Sequence, residues 1–138
     1  MGKINSVPIS ELHTFKTRID ARTPLEFSAD HIPGAINLPV LSNAQRVIVG
    51  TLHKQGDIFE AKRVGAAFVS RNIADHLEGG LANIPKQTPL LLYCWRGGLR
   101  SGSFVVWLRM IGWDAYQLSG GYKAFRRQVV SVLASRPL

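Results

Sequence analysis

One cysteine, Cys94, stands in the 138 residues, so no disulfide can close within the chain. His13, His31, His53 and His76 share no ligand spacing, and with a single thiol beside them no metal site is expected. Long apolar runs are missing too. None approaches the roughly 18 residues that cross a bilayer, and the opening Met1-Gly-Lys-Ile-Asn-Ser6 lacks the apolar stretch of a secretory signal. Acidic residues are scarce in one half only: residues 1 to 85 carry nine Lys/Arg against eight Asp/Glu, whereas residues 86 to 138 carry eight against Asp114 alone. There is no internal repeat, and the break from Gly79-Gly80 to Pro89 is too short for a domain linker. What is left is one globular domain, residues 1 to 138, expected in a reducing cytoplasm with no membrane partner.

The basic excess of the second half comes from Lys86, Arg96, Arg100, Arg109, Lys123, Arg126, Arg127 and Arg136. Such a field suits a polyanion or a phosphorylated substrate, and the same charges would equally serve a solubilising surface. Lys123, Arg126 and Arg127 cluster near the start of the last predicted helix, either as a solvated face or as an RNA contact.

Cys94 itself opens a pattern with chemical content: Leu90-Leu-Leu-Tyr-Cys-Trp-Arg-Gly-Gly-Leu-Arg-Ser101. An apolar run reads as a strand, Gly97-Gly98 as a tight turn, and the residues after it as a helix start. A strand that turns this way aims successive backbone N–H groups at one point and makes a nest for an anion. A thiol at the strand end shares that positive field with Arg96 and Arg100, which favours thiolate over thiol. A buried structural cysteine is the plainer reading for a lone thiol, but it asks for neither the two glycines nor the two arginines. The candidate site is therefore Cys94 as nucleophile, with Trp95, Arg96, Gly97, Gly98, Leu99, Arg100 and Ser101 as the anion cradle. Trp95 either stacks on a base or a prenyl chain or lies against the domain.

The rest of the chain alternates strands and helices. Thr17 to Asp20 reads as a strand, Ala21 to Pro24 as a turn, and Glu26-Phe27 as part of a brief helix. Asp20 and Arg22 at that strand end either cap the turn or touch substrate. A turn at Pro33-Gly34 precedes a short strand. Asn43 to Gly56 is helical with Val47, Ile48 and Leu52 on one side, and a longer helix runs from about Phe59 to Leu77 with Ala61, Val64, Phe68 and Ile73 facing the core. Leu90 to Tyr93 is predicted to be the central strand, buried on both faces. The helix from Ser101 to Ile111 is apolar nearly all round, which predicts burial. Ala115 to Leu118 is a last strand, and Gly120-Gly121 leads into a helix through Phe125 and Val132. The expected class is α/β, a three-layer sandwich with a mostly parallel central sheet flanked by helices, and ligands of such sheets lie beyond the carboxyl ends of the strands.

Three segments in order carry a family resemblance: Ile19-Asp-Ala-Arg-Thr-Pro-Leu-Glu-Phe27 with His31-Ile-Pro-Gly-Ala-Ile-Asn-Leu-Pro39, the Cys94 loop, and Leu118-Ser-Gly-Gly-Tyr-Lys-Ala-Phe125. Together they resemble a rhodanese-like domain, whose loop cysteine carries sulfur as a persulfide. Cys94-x-Arg-Gly-Gly-x-Arg-Ser101, Gly120-Gly-Tyr-Lys-Ala124 and Val49-Gly-Thr-Leu-His-Lys-Gln-Gly56 are more narrowly similar to the N-terminal domain of the tRNA 2-selenouridine synthase family. That resemblance implies tRNA carrying wobble 2-thiouridine as partner. Its sulfur is replaced by selenium from selenophosphate through an S-geranylated intermediate, so selenophosphate and geranyl diphosphate are implied substrates and no bound cofactor is implied. It also implies Cys94 as the essential thiol, with the Trp95 to Ser101 backbone and Arg100 holding the anionic group.

The family continues into a second domain with a phosphate-binding P-loop, and these residues contain no Gly-x-x-x-x-Gly-Lys-Ser/Thr. The resemblance therefore implies a P-loop domain in cis, beyond a fragment, or in trans, as a separate chain. Other chemistries keep the same thiol. A general sulfurtransferase would pass persulfide sulfur to another acceptor. Cys94 and Arg100 enclose five residues, the spacing of cysteine-dependent phosphatases and arsenate reductases, which would need Asp20 or Glu26 as the acid. A non-catalytic RNA or protein docking module would need no reactive Cys94 at all.

Overall fold

A computed structural model describes residues 5–135. Arg136, one of the eight basic residues counted above, and the opening residues before Asn5 lie outside the described part. Five strands form one sheet: β1 (Ser6–Val7), β2 (Thr17–Asp20), β3 (Ala35–Asn37), β4 (Leu90–Tyr93) and β5 (Ala115–Leu118). Their order across the sheet is β1-β5-β4-β2-β3 and every pairing is parallel. β4 is central, as its uninterrupted apolar run predicts, and all four of its residues are buried. In register, Ile19 faces Leu92 and Asp20 faces Tyr93, while Leu91 sits beside Tyr116.

Side chains alternate across a strand, and β4 divides its own between two cores. Leu90 and Leu92 join Ile19, Val40, Ile73, Phe104 and Leu108 on one face. Leu91 and Tyr93 join Leu12, Phe15, Ile32, Leu118 and Tyr122 on the other. The first core is closed by α3 (Ile58–Glu78) and α4 (Leu99–Ile111), the second by a short 3-10 helix (Ile9–Thr14) and α5 (Gly121–Ser135). The result is the expected three-layer sandwich.

Helix boundaries follow from caps. α1 (Pro24–Ala29) starts with Thr23 and Glu26 in a reciprocal capping box behind Pro24, and α2 (Asn43–Lys54) starts with the same device made by Ser42 and Gln45. Gly56, at φ 82°, turns the chain from α2 into α3.

One expectation about burial is corrected. α4 is not buried all round: Phe104, Val105 and Leu108 are fully enclosed, but Val106, Trp107, Met110 and Ile111 are exposed, because a helix on the outer layer has only one side against the sheet. In α2, Val47 and Ile48 also point outward. That helix meets α3 where Val49 lies over Gly65.

Candidate functional site

The carboxyl ends of β2 and β4 meet at Asp20 and Tyr93, and the chain segment after Tyr93 forms the cradle. Gly97 takes φ 76°, and a Cβ there would come within 3.2 Å of the Gly120 nitrogen and 3.3 Å of the Leu118 oxygen. Gly98 then begins α4 with no side-chain cap. Among the described residues, none of the backbone N–H groups from Trp95 to Ser101 donates to a protein acceptor. A run of unpaired donors at a helix start is an arrangement that can receive an anion.

Cys94 sits at the head of this run, 3% exposed, with Sγ 3.0 Å from the Ser101 hydroxyl oxygen. Ser101 and Gln117 are buried beneath it. The Gln117 amide nitrogen donates to the Gly98 carbonyl and to Ser101 Oγ, each at 2.9 Å.

The start of α5 holds the loop from the other side. Tyr122 N donates to Cys94 O at 2.8 Å and Lys123 N to Trp95 O at 2.9 Å. Gly121 makes this approach possible: at φ 59° a Cβ would fall 2.4 Å from Cys94 O, so no other residue fits without moving the loop. The Gly120-Gly-Tyr-Lys segment thus works first as a clamp on the cradle.

Arg100 reaches back to α1. Its Nη1 donates to Glu26 Oε1 at 2.7 Å and its Nη2 to Oε2 at 3.4 Å. Glu26 also accepts from the Thr23 backbone and hydroxyl. Burial pushes the Glu26 carboxyl up, but Arg100 and Thr23 outweigh it and hold it at about 2. It therefore carries no proton to give a leaving group at neutral pH. Asp20, the other acid considered for phosphatase chemistry, accepts from Arg22 on both oxygens.

Asp20 and Arg22 form the turn cap. Asp20 Oδ1 takes the Arg22 backbone N–H at 2.8 Å, and the guanidinium binds Oδ2 at 2.8 Å and the Asp30 carbonyl at 2.7 Å. The same guanidinium lies over the Tyr122 ring, 4.3 Å from its centroid. Tyr122 hydrogen-bonds Asp30, and burial with that bond pushes the Tyr122 phenol up to about 12.

Arg96 on the cradle loop is exposed, as are Arg126 and Arg127 on α5, and Lys123 is half-buried. Leu99 adds an exposed apolar side chain. Trp95 lies against the domain, its ring 5.8 Å from that of Tyr122, and with Arg22, Glu26, Asp30, Tyr122 and Arg126 it lines a cavity of about 200 Å³. Arg109 is elsewhere, bound to Ala115 O beyond the opposite end of α4, so the basic excess is only partly a feature of the site.

Two members of the site are not evident from local sequence. Arg46 on α2 lies within electrostatic reach of Arg100, Glu26 and Cys94. Burial and the like charge of Arg100 lower its pKa, and the charges of Glu26 and Cys94 partly offset them. Gln117 is the other; a buried amide in an otherwise apolar strand was its only signal.

A parallel five-stranded sheet with a cysteine cradle at its carboxyl edge defines a rhodanese-like domain. The model of the rhodanese-like domain family matches residues 10–128, and the chain belongs to that family. Its relatives are more particular. A tRNA 2-selenouridine synthase of Nitrosomonas europaea is 39% identical over 116 residues, covering 83% of this chain and 30% of the relative. The protein of the same name from Nitrosomonas eutropha is 37% identical over 132 residues, 94% of this chain and 34% of its own length. This chain thus spans about a third of the length of the curated relatives it matches, and is homologous to their rhodanese part. Among solved structures, the N-terminal domain of a Clostridium difficile 630 protein named for ATP/GTP binding superposes with a TM-score of 0.79 at 39% identity, covering 91% of this chain and 98% of that one. A rhodanese-related protein of Thermoplasma volcanium shares the fold at 16% identity, with a TM-score of 0.58 over 90% of this chain and 92% of its own.

Proposed function

We propose that this chain serves as the rhodanese domain of a tRNA 2-selenouridine synthase. In that transferase Cys94 is the thiol needed to replace the sulfur of wobble 2-thiouridine with selenium from selenophosphate. The observation that carries this reading is that likeness to the synthases extends over most of the chain, and this chain holds a buried thiol heading a run of N–H donors that are unpaired among the described residues. Selenophosphate and geranyl diphosphate both present phosphoryl oxygens, the chemistry such donors and Arg100 receive. Arg96 on the loop, with Lys123, Arg126 and Arg127 at the start of α5, would meet the tRNA backbone. A P-loop domain, in cis or in trans, completes the activity. A tRNA substrate makes the cytoplasm the site of action.

The second reading is a general sulfurtransferase, favoured by the cradle itself, since nothing in its donors distinguishes selenium from sulfur. Nucleoside mass spectrometry separates the two. 2-Thiouridine tRNA is incubated with selenophosphate and geranyl diphosphate, using this chain alone, Cys94→Ala, and each mixed with a P-loop domain of the family. 2-Selenouridine formed in the mixture and lost with Cys94→Ala is the expected result. Its absence, while Cys94 takes sulfur from thiosulfate, would leave the sulfurtransferase in its place.

A further inference from the structure

Gln117 is a buried amide on β5, 5% exposed, whose polar end lies directly under the cradle. Its orientation is fixed by chemistry: the Gly98 carbonyl can only accept, so the amide nitrogen must face it. That nitrogen has two protons. One goes to Gly98 O and the other to Ser101 Oγ, both at 2.9 Å. Ser101 is thereby an acceptor from Gln117, and its own hydroxyl proton needs another destination. Ser101 is 0% exposed, and among the described residues the other hydrogen-bonding partner of its side chain is Cys94 Sγ at 3.0 Å.

We propose that Gln117 is a positioning residue for the transfer thiol: by occupying a lone pair of Ser101 it turns the serine hydroxyl into a donor aimed at Cys94 Sγ, which stabilises the thiolate. The inference rests on the reading of Cys94 as the reacting thiol. It concerns a residue on a different strand, 23 positions downstream in the chain, that never touches the sulfur. A hydrogen bond to a charged acceptor is among the stronger ones, and losing it reduces the ionised fraction while raising the intrinsic nucleophilicity of what remains.

Because Cys94 is the only cysteine, iodoacetamide alkylation of the full chain reports on this thiol alone. Gln117→Leu and Ser101→Ala are each expected to react about 3- to 10-fold more slowly than wild type at pH 7. By pH 10, where thiols ionise without help, the gap should close or reverse. The double variant should be no slower than Ser101→Ala, since Gln117 acts through Ser101. Gln117→Met, which keeps the length without the donor, replaces Gln117→Leu if the latter loses its circular dichroism signature of folding. Wild-type alkylation by the Gln117 variant at pH 7, an equal slowing at both pH values, or a double variant slowed by the product of the single effects would overturn the relay. The readout does not depend on selenium. Failure to form 2-selenouridine would remove the proposed function while this pH pattern still supported the relay, and unchanged alkylation would remove the relay alone.

Discussion

Two arginine–carboxylate pairs have their acids six residues apart, Asp20 ending β2 and Glu26 on α1, and they are built to opposite ends. Asp20–Arg22 is buried, 0% and 3% exposed. Both carboxylate oxygens are used, and the guanidinium also holds the Asp30 carbonyl and covers the Tyr122 ring. Glu26–Arg100 is partly open, 27% and 12% exposed, with one short bond and one of 3.4 Å. Arg100 has donors left to offer, next to the unpaired N–H groups of the cradle. A guanidinium buried to 3% and tied through Nε and Nη2 to Asp20 and the Asp30 carbonyl is scaffold; one held by a single short bond at 12% exposure is oriented yet available. The two pairs have similar chemistry and differ in what burial leaves free.

The contrast is broken most forcefully at the buried pair. Asp20→Ala leaves Arg22 as an uncompensated buried charge and should cost about 3–5 kcal/mol, read from the midpoint of chemical denaturation. A loss below about 1 kcal/mol would mean that the pair is not the scaffold described. Arg100→Lys tests the open pair. Without the planar fork, transfer should fall about tenfold while the denaturation midpoint barely moves, and wild-type transfer would remove Arg100 from anion binding.

Glu26→Gln sharpens the comparison through pH. The Glu26 carboxyl lies at about 2 in the fold against 4.5 for the free group, so its stabilisation is complete above about 4.5 and is lost as the pH falls toward 2. Acid unfolding of Glu26→Gln should be flatter across that window than wild type, and parallel curves would contradict the pairing. The smallest effect is expected at Arg46→Ala. Among the described residues the Arg46 side chain makes no hydrogen bond, but it adds to the field around Arg100, Glu26 and Cys94, so anion binding should weaken about two- to threefold at low salt and converge with wild type at high salt.

Much of this was legible in the chain because it is local. Leu90 to Tyr93 announces a central strand by being apolar without interruption, and Gly97-Gly98 with two arginines announces the cradle. The β-strand Ser6–Val7 was not legible: two residues carry no period, and they are a strand only because Val7 O and Asn5 O meet the β5 edge at Ser119 N and Gln117 N. The 3-10 helix after it was missed for the same want of period. Sequence alone leaves Glu26 open as an acid because its neighbourhood says nothing of Arg100, 74 residues away. Gln117 and Arg46 likewise gain their meaning from partners that only the fold supplies. The exposed side of α4 was misread because an all-round apolar pattern does not say which layer a helix occupies.

The central claim is that the anionic group is received by the cradle and Arg100, with Arg22 taking no part. Titrating the full chain with inorganic phosphate and following nitrogen resonances by NMR tests it most directly. Backbone amides from Gly97 to Ser101 and the Arg100 side-chain Nε should shift together and saturate while the Arg22 Nε stays in place. Saturating shifts at Arg22, or on α5 with the cradle amides unmoved, would contradict the account.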